Sequence, residues 1–207
     1  KLCMMEKDWK EAYKYAQEII DMNCYKLETD YMSIFSAANK RNSEEIYGIP
    51  RDASVPNQGN TWHANSLPNL FPTGSVEVVK WGGYCIQWDF VHSFDKRDKR
   101  LGGIITEFTG LDGKLYNEQN PGAPLRKGAV ALKYDIDPGH IGSGSNHDII
   151  IYRYADVILS MAEILNELYG PTKESLSYFN MIRPRTGLPN MEMPASKDAF
   201  RDSIFIE

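Results

Sequence analysis

The sequence predicts a mainly α fold in which helical hairpins pack against a loop-rich layer that carries a few short strands. Two stretches, one near the N-terminus and one over residues 152–189, repeat apolar residues every three or four positions, as amphipathic helices do. The stretch between them is rich in turn-forming residues and has only short apolar runs. We therefore expect a helical scaffold over residues 1–36, a loop-rich insertion over 37–151 and a helical hairpin with the start of a further helix over 152–207, all within one domain.

The first predicted helix runs from Asp8 to Met22. Asp8 is a suitable N-cap, and Glu11 three residues later completes a capping-box-like start. The predicted apolar face comprises Trp9, Ala12, Tyr13, Ala16, Ile19 and Ile20. A face this broad predicts that the helix packs against another helix.

The middle region predicts short strands and one long loop. Residues 43–50 turn from polar to apolar, as a short buried strand does, and residues 129–136 predict another strand. The Asp-Gly dipeptide at 112–113 indicates a hairpin turn between short apolar segments. Residues 51–74 combine prolines with a polar cluster, which predicts a surface loop, and long loops often carry binding residues.

The clearest helical hairpin lies within residues 152–189. Gly170 and Pro171 end its first arm, Thr172 is a suitable N-cap for the second arm, and Pro184 ends that arm. The apolar stripes are Tyr154, Ile158, Met161, Leu165 and Leu168 on the first arm, and Leu176, Phe179 and Ile182 on the second. Paired helices of this kind are the unit of tetratricopeptide-type packing. We expect ion pairs between the hairpin's arginines and acids, namely Arg153, Arg183 and Arg185 with Asp156, Glu163 and Glu167.

Composition excludes several functional classes. The chain is 42% hydrophobic and 25% charged with a net charge of -5 and no basic run, so nucleic acid is not an expected partner. Its three cysteines cannot all be bridged within the chain, and we expect buried free thiols. The four histidines lack metal-ligand spacing, and no cofactor fingerprint occurs. We therefore expect neither a metal nor a cofactor.

Several motifs together resemble the SusD/RagB family of outer-membrane glycan-binding lipoproteins. Residues 152–189 resemble the family's helical signature, and residues 94–100 fit its F-D-x-x-D-x-R pattern. Residues 8–35 resemble the family's helix with a tyrosine-leucine turn and an aromatic YxxLF segment, in which Ile34 replaces the usual leucine. The order of these motifs is similar to that in the latter half of a SusD-like protein.

The resemblance implies a SusD-like fold and a non-catalytic role. Such a protein binds oligosaccharides or polysaccharides at the cell surface and delivers them to a TonB-dependent, SusC-like transporter. Family members are longer and begin with a lipoprotein leader. We therefore expect this chain to be a C-terminal-half fragment of a surface-exposed outer-membrane lipoprotein, attached to the membrane only through a lipid anchor that the chain itself lacks.

Aromatic residues in and after the long loop fit this implied ligand. A sugar ring has an apolar C–H face and a polar rim, so a glycan site needs flat aromatic rings flanked by hydrogen-bonding groups. The expected ligand-binding residues are Trp62, Trp81, Tyr84, Trp88, Asn60, Asn65 and Asp89. Gly82 and Gly83 would let a ligand approach the backbone. The competing interpretation is that Trp81 and Trp88 pack beneath the loop as core residues.

Two other functions remain open at this stage. Glu77 and Asp89 lie near the tryptophans and are the candidate carboxylate pair of a glycoside hydrolase. The helical hairpins alternatively suit an intracellular tetratricopeptide-type scaffold that binds peptides. The long aromatic loop and the low number of repeats argue against the scaffold.

Overall fold

The computed structural model describes residues 1–207 and contains seven α-helices and six short β-strands. The helices are α1 Leu2–Met5, α2 Trp9–Asp21, α3 Trp62–Ser66, α4 Trp88–His92, α5 Tyr154–Tyr169, α6 Lys173–Ile182 and α7 Lys197–Ile206. The strands are β1 Glu45–Ile49, β2 Ile104–Ile105, β3 Phe108–Thr109, β4 Leu115–Tyr116, β5 Val130–Ala131 and β6 Ile149–Arg153. They pair as β1 with β6, β2 with β5, and β3 with β4.

The chain forms two compact units. Unit 1 comprises Lys1–Thr29, Arg41–Tyr47 and Ile151–Glu207. Unit 2 comprises Asp30–Lys40 and Gly48–Ile150. The single domain predicted over the whole chain stays a prediction.

Unit 1 is a helical layer built around α5. Helices α2, α6 and α7 pack against α5, whose Ile158 and Met161 are fully buried. On another side of α5, Ala162 shares a buried cluster with Phe179 and Phe200, whose rings meet edge to face at 5.5 Å. The small alanine lets these rings approach the helix backbone, and burying one such ring contributes roughly 1.5–3 kcal/mol. The predicted packing of an amphipathic hairpin is confirmed.

The predicted helix ends of unit 1 are confirmed by their caps. The Asp8 carboxylate accepts a hydrogen bond from the Glu11 backbone N–H at 3.1 Å, and α2 begins one residue later. The Thr172 hydroxyl accepts a hydrogen bond from the Ser175 N–H at 3.1 Å and starts α6. Gly170 ends α5 with φ of 79°, a conformation that glycine adopts without steric cost.

A buried ion-pair network lies in unit 1. The fully buried Glu44 carboxylate accepts hydrogen bonds from Arg153 at 3.1 Å and from Arg185 Nη2 at 3.2 Å. It also accepts one from Arg185 Nη1 and one from the Glu28 backbone N–H, the latter at 2.9 Å. Several charge-assisted donors therefore compensate the cost of burying this carboxylate.

This network corrects part of the predicted pairing of the hairpin arginines. Arg153 does lie 3.9 Å from the Asp156 carboxylate, as predicted. Arg183 instead pairs with Glu207 at 2.7 Å, and Arg185 pairs with Glu44. Both partners are distant in sequence, so the spacing of charges within the hairpin could not reveal them.

Unit 2 is a loop-rich layer with short strands and its own core. The core residues are Leu67, Phe71, Phe108, Tyr116, Leu125 and Val130. The hairpin predicted around residues 112–113 is confirmed, because β3 and β4 pair antiparallel on either side of that turn. The strand predicted over 129–136 is shorter than expected, because β5 pairs with a β2 of two residues. The strand predicted over 43–50 is β1, but the burial predicted for it is wrong, because no residue of β1 is buried and Tyr47 and Ile49 are exposed.

The long loop predicted over residues 51–74 contains a helix, which corrects that prediction. Helix α3 occupies Trp62–Ser66, and the Asn60 side chain accepts a hydrogen bond from the Trp62 N–H at 2.9 Å where the helix starts. The buried residues of α3 are His63, Ala64 and Ser66. Two of these are polar, so the apolar periodicity that reveals other helices is absent here.

Two further features concern whether a helix could cross a membrane and whether the cysteine thiols are buried. The longest helix, α5, has 16 residues, and no helix combines the length and apolar character needed to cross a membrane. The three cysteines are free. Cys24 is exposed and Cys3 and Cys85 are half-buried, so the burial predicted for these thiols is wrong, most clearly at Cys24.

Candidate functional site

Trp81 and Tyr84 form an aromatic surface of unit 2 that is open to solvent. Their exposed fractions are 59% and 55%, so more than half of each side chain can meet a ligand. The Trp81 N–H donates to the Ala64 carbonyl at 2.7 Å, and the Tyr84 N–H donates to the Asn65 carbonyl at 2.8 Å. These bonds tie the segment to α3. We call Trp81 and Tyr84 the aromatic platform.

Two glycines separate the rings of the aromatic platform. Gly82 has φ of 67° and Gly83 has φ of 128°, and both values lie in the region that side chains other than glycine rarely adopt. The turn that places one ring on each side of the glycine pair therefore depends on glycine. A close approach of ligand to this backbone stays a prediction.

The aromatic platform lines a cleft of about 430 Å³. Other residues of this cleft include Pro68, Asn69, Pro124, Arg126, Lys127 and Gly128. Asn69, Arg126 and Lys127 are exposed polar residues, whereas no aspartate or glutamate lines the cleft. The cleft thus combines flat rings, an amide and two cations.

The segment that carries Arg126 and Lys127 is fixed by its backbone. Ile86 and Ala129 exchange two backbone hydrogen bonds, of 2.9 and 2.8 Å. Gly128 has φ of 151°, and a Cβ at this position would lie 2.2 Å from the Ile86 carbonyl oxygen. This close approach therefore requires glycine, and it holds the two cations on the wall of the cleft.

Trp62 supports the aromatic platform. Its half-buried indole donates from Nε1 to the Ala131 carbonyl at 3.0 Å. Its ring centroid lies 5.8 Å from that of Tyr84 and 5.9 Å from that of Tyr134, distances typical of aromatic packing. The structure thus brings Trp62 and Tyr84 together. Ligand contact by Trp62 stays a prediction.

The side chains of both predicted asparagines form hydrogen bonds within unit 2. Asn60 is buried, and its amide donates to the His147 carbonyl at 3.0 Å while accepting from Trp62. The Asn65 amide donates to the Thr61 carbonyl at 2.9 Å. Both side chains therefore hold the α3 region, and Asn65 positions Tyr84 through its own carbonyl.

Trp88 and Asp89 begin α4 and do not line the cleft. Trp88 is half-buried and packs against the core of unit 2, in line with the competing interpretation of that ring as a core residue. Asp89 and Glu77 are both exposed, and Glu77 does not line the cleft either. The structure therefore does not bring these carboxylates to the aromatic platform.

The cleft contains three polar residues that no sequence pattern predicted for the site. Asn69 follows Pro68 next to α3, and Arg126 and Lys127 follow a turn-rich segment over residues 121–124. Two adjacent cations after such turns signal an exposed charged tip. That signal alone does not show that the tip lines the same cleft as Trp81, because the two segments are far apart in the sequence.

A histidine cluster lies in unit 2 around α3. The His63 ring centroid is 5.7 Å from that of His140 and 5.4 Å from that of His147. Burial lowers the pKa of His63 to about 4, although its Nε2 lies 3.1 Å from the Tyr134 carbonyl, a contact that favours the protonated form. Burial also lowers the pKa of His140. No group of three or more His, Cys, Asp or Glu side chains is arranged to hold a metal ion.

Two curated proteins are similar to this chain over most or all of its length. SusD-like protein P25 of Formosa agariphila is 24% identical over an alignment that covers 100% of this chain and 44% of that protein. SusD-like protein P2 of the same organism is also 24% identical, over an alignment that covers 90% of this chain and 39% of that protein. The chain thus spans less than half the length of these curated relatives.

Solved structures share the fold. A SusD superfamily protein from Parabacteroides distasonis superposes with a TM-score of 0.75 and 22% identity, over 95% of this chain and 42% of that one. Surface glycan-binding protein A from Bacteroides thetaiotaomicron, solved in complex with laminarihexaose, gives a TM-score of 0.71 and 18% identity, over 99% of this chain and 49% of that one. The mainly α, SusD-like fold predicted from the sequence is confirmed.

The family assignment rests on the second half of the chain. Residues 103–207 match the sequence profile of the SusD family, and they include β3, β4 and all of the helical hairpin. That match covers more than half of the 207 residues. The chain therefore belongs to the SusD family.

Proposed function

We propose that this chain binds glycans without cleaving them. The observation that carries this proposal is the aromatic platform, two rings more than half exposed on either side of a glycine turn in the wall of an open cleft. Membership of the SusD family supports it, as does the similar fold of a protein whose structure contains laminarihexaose. We further propose a surface-exposed outer-membrane lipoprotein that delivers its glycan to a SusC-like, TonB-dependent transporter.

The cleft offers the contacts that a sugar needs. A pyranose can lay its C–H face on Trp81 or Tyr84, because an indole or phenol ring is flat and apolar. The Asn69 amide and the Tyr84 hydroxyl can exchange hydrogen bonds with sugar hydroxyls. A cleft with one open side gathers little contact area from each sugar, so binding of one unit is weak and several contacts along one polymer strengthen it.

The lining of the cleft favours binding over hydrolysis. Glycoside hydrolysis commonly uses two carboxyl groups that flank the scissile bond, one as acid and one as base or nucleophile. No carboxylate lines this cleft, and the candidate pair Glu77 and Asp89 lies elsewhere on exposed positions. A ligand on the aromatic platform would thus meet no carboxyl group among the residues that line this cleft.

Affinity electrophoresis and calorimetry with a panel of soluble polysaccharides test the proposal. We expect retarded migration without released sugars, and we expect Trp81→Ala and Tyr84→Ala each to weaken binding by roughly three- to tenfold, because one ring contact contributes about 0.5–1.5 kcal/mol. Trp62→Ala and Trp88→Ala then show whether the predicted role of those rings in ligand contact holds. Tyr169→Ala, an exposed tyrosine of unit 1, is the matched control and should leave affinity unchanged.

Other outcomes identify the competing functions. New reducing ends would show a hydrolase, and retention by peptides but not by polysaccharides would show a tetratricopeptide-type scaffold. Glycan binding that neither Trp81→Ala nor Tyr84→Ala weakens would refute the choice of site. Delivery to a transporter is tested by whether the full-length protein co-purifies with a SusC-like protein from outer membranes.

A further inference from the structure

We propose that the glycan bound at this cleft is acidic, with carboxylate or sulfate groups that Arg126 and Lys127 hold while Trp81 or Tyr84 stacks on a sugar ring. This inference rests on the proposed function, because it names the substrate class of the same site. The charged residues that line the cleft, rather than its aromatic rings, are the evidence for an acidic ligand.

The charge of the cleft is opposite to that of the chain. The whole sequence has 28 acidic and 23 basic residues and a net charge of -5. The cleft is lined by two cations and by no acidic residue. A guanidinium and an ammonium that line one cleft repel each other weakly, and the attraction of both to a bound anion would offset that repulsion. The local charge is thus complementary to an anionic ligand.

Arg126 and Lys127 have no carboxylate partner, in contrast to several other cations of unit 2. Arg97 pairs with Asp95 and Arg100 pairs with Asp98, each at 2.6 Å. Lys40 lies 2.7 Å from the Asp148 carboxylate. The side chains of Arg126 and Lys127 are exposed and form no hydrogen bond or ion pair within the chain. Their donors are therefore available to a ligand.

The wall that carries the two cations is preorganised. Leu125, the residue before them, is fully buried in the core of unit 2. Gly128, the residue after them, is held against the Ile86 carbonyl by the pairing of Ile86 with Ala129. Both ends of the dipeptide are thus fixed, so a ligand orders only the side chains and not the backbone.

The two cations suit two kinds of anionic group. The planar guanidinium of Arg126 can donate two parallel hydrogen bonds to a carboxylate, as on a uronic acid. The ammonium of Lys127 is a compact charge that suits the oxygens of a sulfate ester as well as those of a carboxylate. The shared chemistry is an anionic substituent on the rim of a sugar whose face lies on an aromatic ring.

Matched pairs of probes test this inference by titration calorimetry. One pair is oligogalacturonides and the same oligomers after methyl esterification, which removes the carboxylate charge. The other pair is sulfated laminarin and unmodified laminarin. We expect the chain to bind at least one acidic probe roughly threefold or more tightly than its neutral partner, and we expect salt to weaken that preference. The pair that shows the preference identifies carboxylate or sulfate.

The variant Arg126→Gln with Lys127→Gln should remove the acidic preference, so that this variant binds the acidic probe no more tightly than the neutral probe. The matched control is Lys96→Gln with Lys99→Gln, which removes two exposed cations of unit 2 outside the cleft. Both double variants change the net charge equally. The control should therefore retain the acidic preference, and thermal unfolding of both variants should match that of the wild type.

Three results would overturn the inference. An equal loss of acidic preference in both double variants would assign it to overall charge. Equal binding of acidic and neutral probes would overturn the inference and leave the proposed function standing. Failure to bind any probe of the panel, neutral or acidic, would overturn the proposed function and this inference with it.

Discussion

Units 1 and 2 are stabilised in different ways. In unit 1, long helices bury continuous apolar stripes, and side-chain caps satisfy the N-terminal N–H groups of α2 and α6. In unit 2, strands that pair wholly inside the unit are two residues long, and polar side chains satisfy much of the backbone. Asp137, for example, accepts hydrogen bonds from the Gly139 and Asn146 N–H groups at 2.8 and 2.7 Å.

This difference in stabilisation explains why the candidate site lies in unit 2 and not in the helical unit 1. A helix with an apolar stripe must bury that stripe, so unit 1 leaves little freedom for open rings along its seams. A loop held by individual hydrogen bonds can present Trp81 and Tyr84 to solvent, because its backbone is satisfied without burying them. Substitutions that break single interactions can therefore measure how much such interactions contribute to the stability of each unit.

The largest expected effect is in unit 1, at the buried ion-pair network. Glu44→Gln removes the negative charge that Arg153 and Arg185 both contact. Removing one partner of a buried ion pair costs about 3–5 kcal/mol, because the remaining charges stay buried with a weaker acceptor. We expect a loss of this size in the free energy of unfolding, measured by urea titration with far-UV circular dichroism, which reports mainly on the helices.

The neighbouring carboxylate provides the control for that substitution. Glu45 is half-buried on β1 and accepts a hydrogen bond from the Arg41 N–H at 3.2 Å. Glu45→Gln should therefore cost less than about 1 kcal/mol. Equal losses for Glu44→Gln and Glu45→Gln would show that the buried network does not dominate the stability of unit 1.

The same contrast explains which features the sequence could predict. The stripe through Ile158 and Met161, the cap at Asp8 and the hairpin turn at 112–113 are local patterns, and each was found where predicted. The pairing of Arg185 with Glu44 joins residues far apart in the chain. No spacing rule reveals such a contact, so the buried network could not be predicted.

The candidate site likewise contains some residues that the sequence could predict and others that it could not. Trp81 and Tyr84 were predicted because aromatic residues next to a glycine pair stand out in a sequence. Whether a given ring is exposed depends on tertiary packing, which half-buries Trp62 and Trp88 but leaves Trp81 open. Arg126 lines the same cleft because segments distant in sequence meet, as Ile86 and Ala129 do in an isolated antiparallel bridge.

Acid should destabilise unit 2 through the buried His63. Burial lowers the pKa of His63 from 6.5 to about 4, so the folded chain holds this ring neutral while the unfolded chain protonates it near pH 6.5. Between these values the unfolded state binds more protons, so stability falls as the pH is lowered from about 6.5 to about 4. A shift of this size corresponds to a loss of roughly 3 kcal/mol at the acid end.

The variant His63→Gln isolates that contribution. It removes the titrating group, so its free energy of unfolding should fall less between neutral and acid pH than that of the wild type. Three of the four tryptophans lie in unit 2, which makes tryptophan fluorescence during urea titration a suitable readout. The control is His92→Gln, which replaces an exposed histidine of the same unit and should change the pH dependence less than His63→Gln does. Identical pH profiles for His63→Gln and the wild type would contradict the prediction.

The smallest expected effects on stability come from replacing two tryptophans of unit 2. Trp62→Ala removes a half-buried ring and the donor to the Ala131 carbonyl, and we expect it to lower the free energy of unfolding by about 2 kcal/mol. Trp81→Ala removes an exposed ring, so we expect a change within about 0.5 kcal/mol. Scanning calorimetry measures both variants without relying on tryptophan emission. A Trp81→Ala loss as large as that of Trp62→Ala would show that the aromatic platform is held by packing rather than by its backbone, and would weaken the case that its rings are free to meet a sugar.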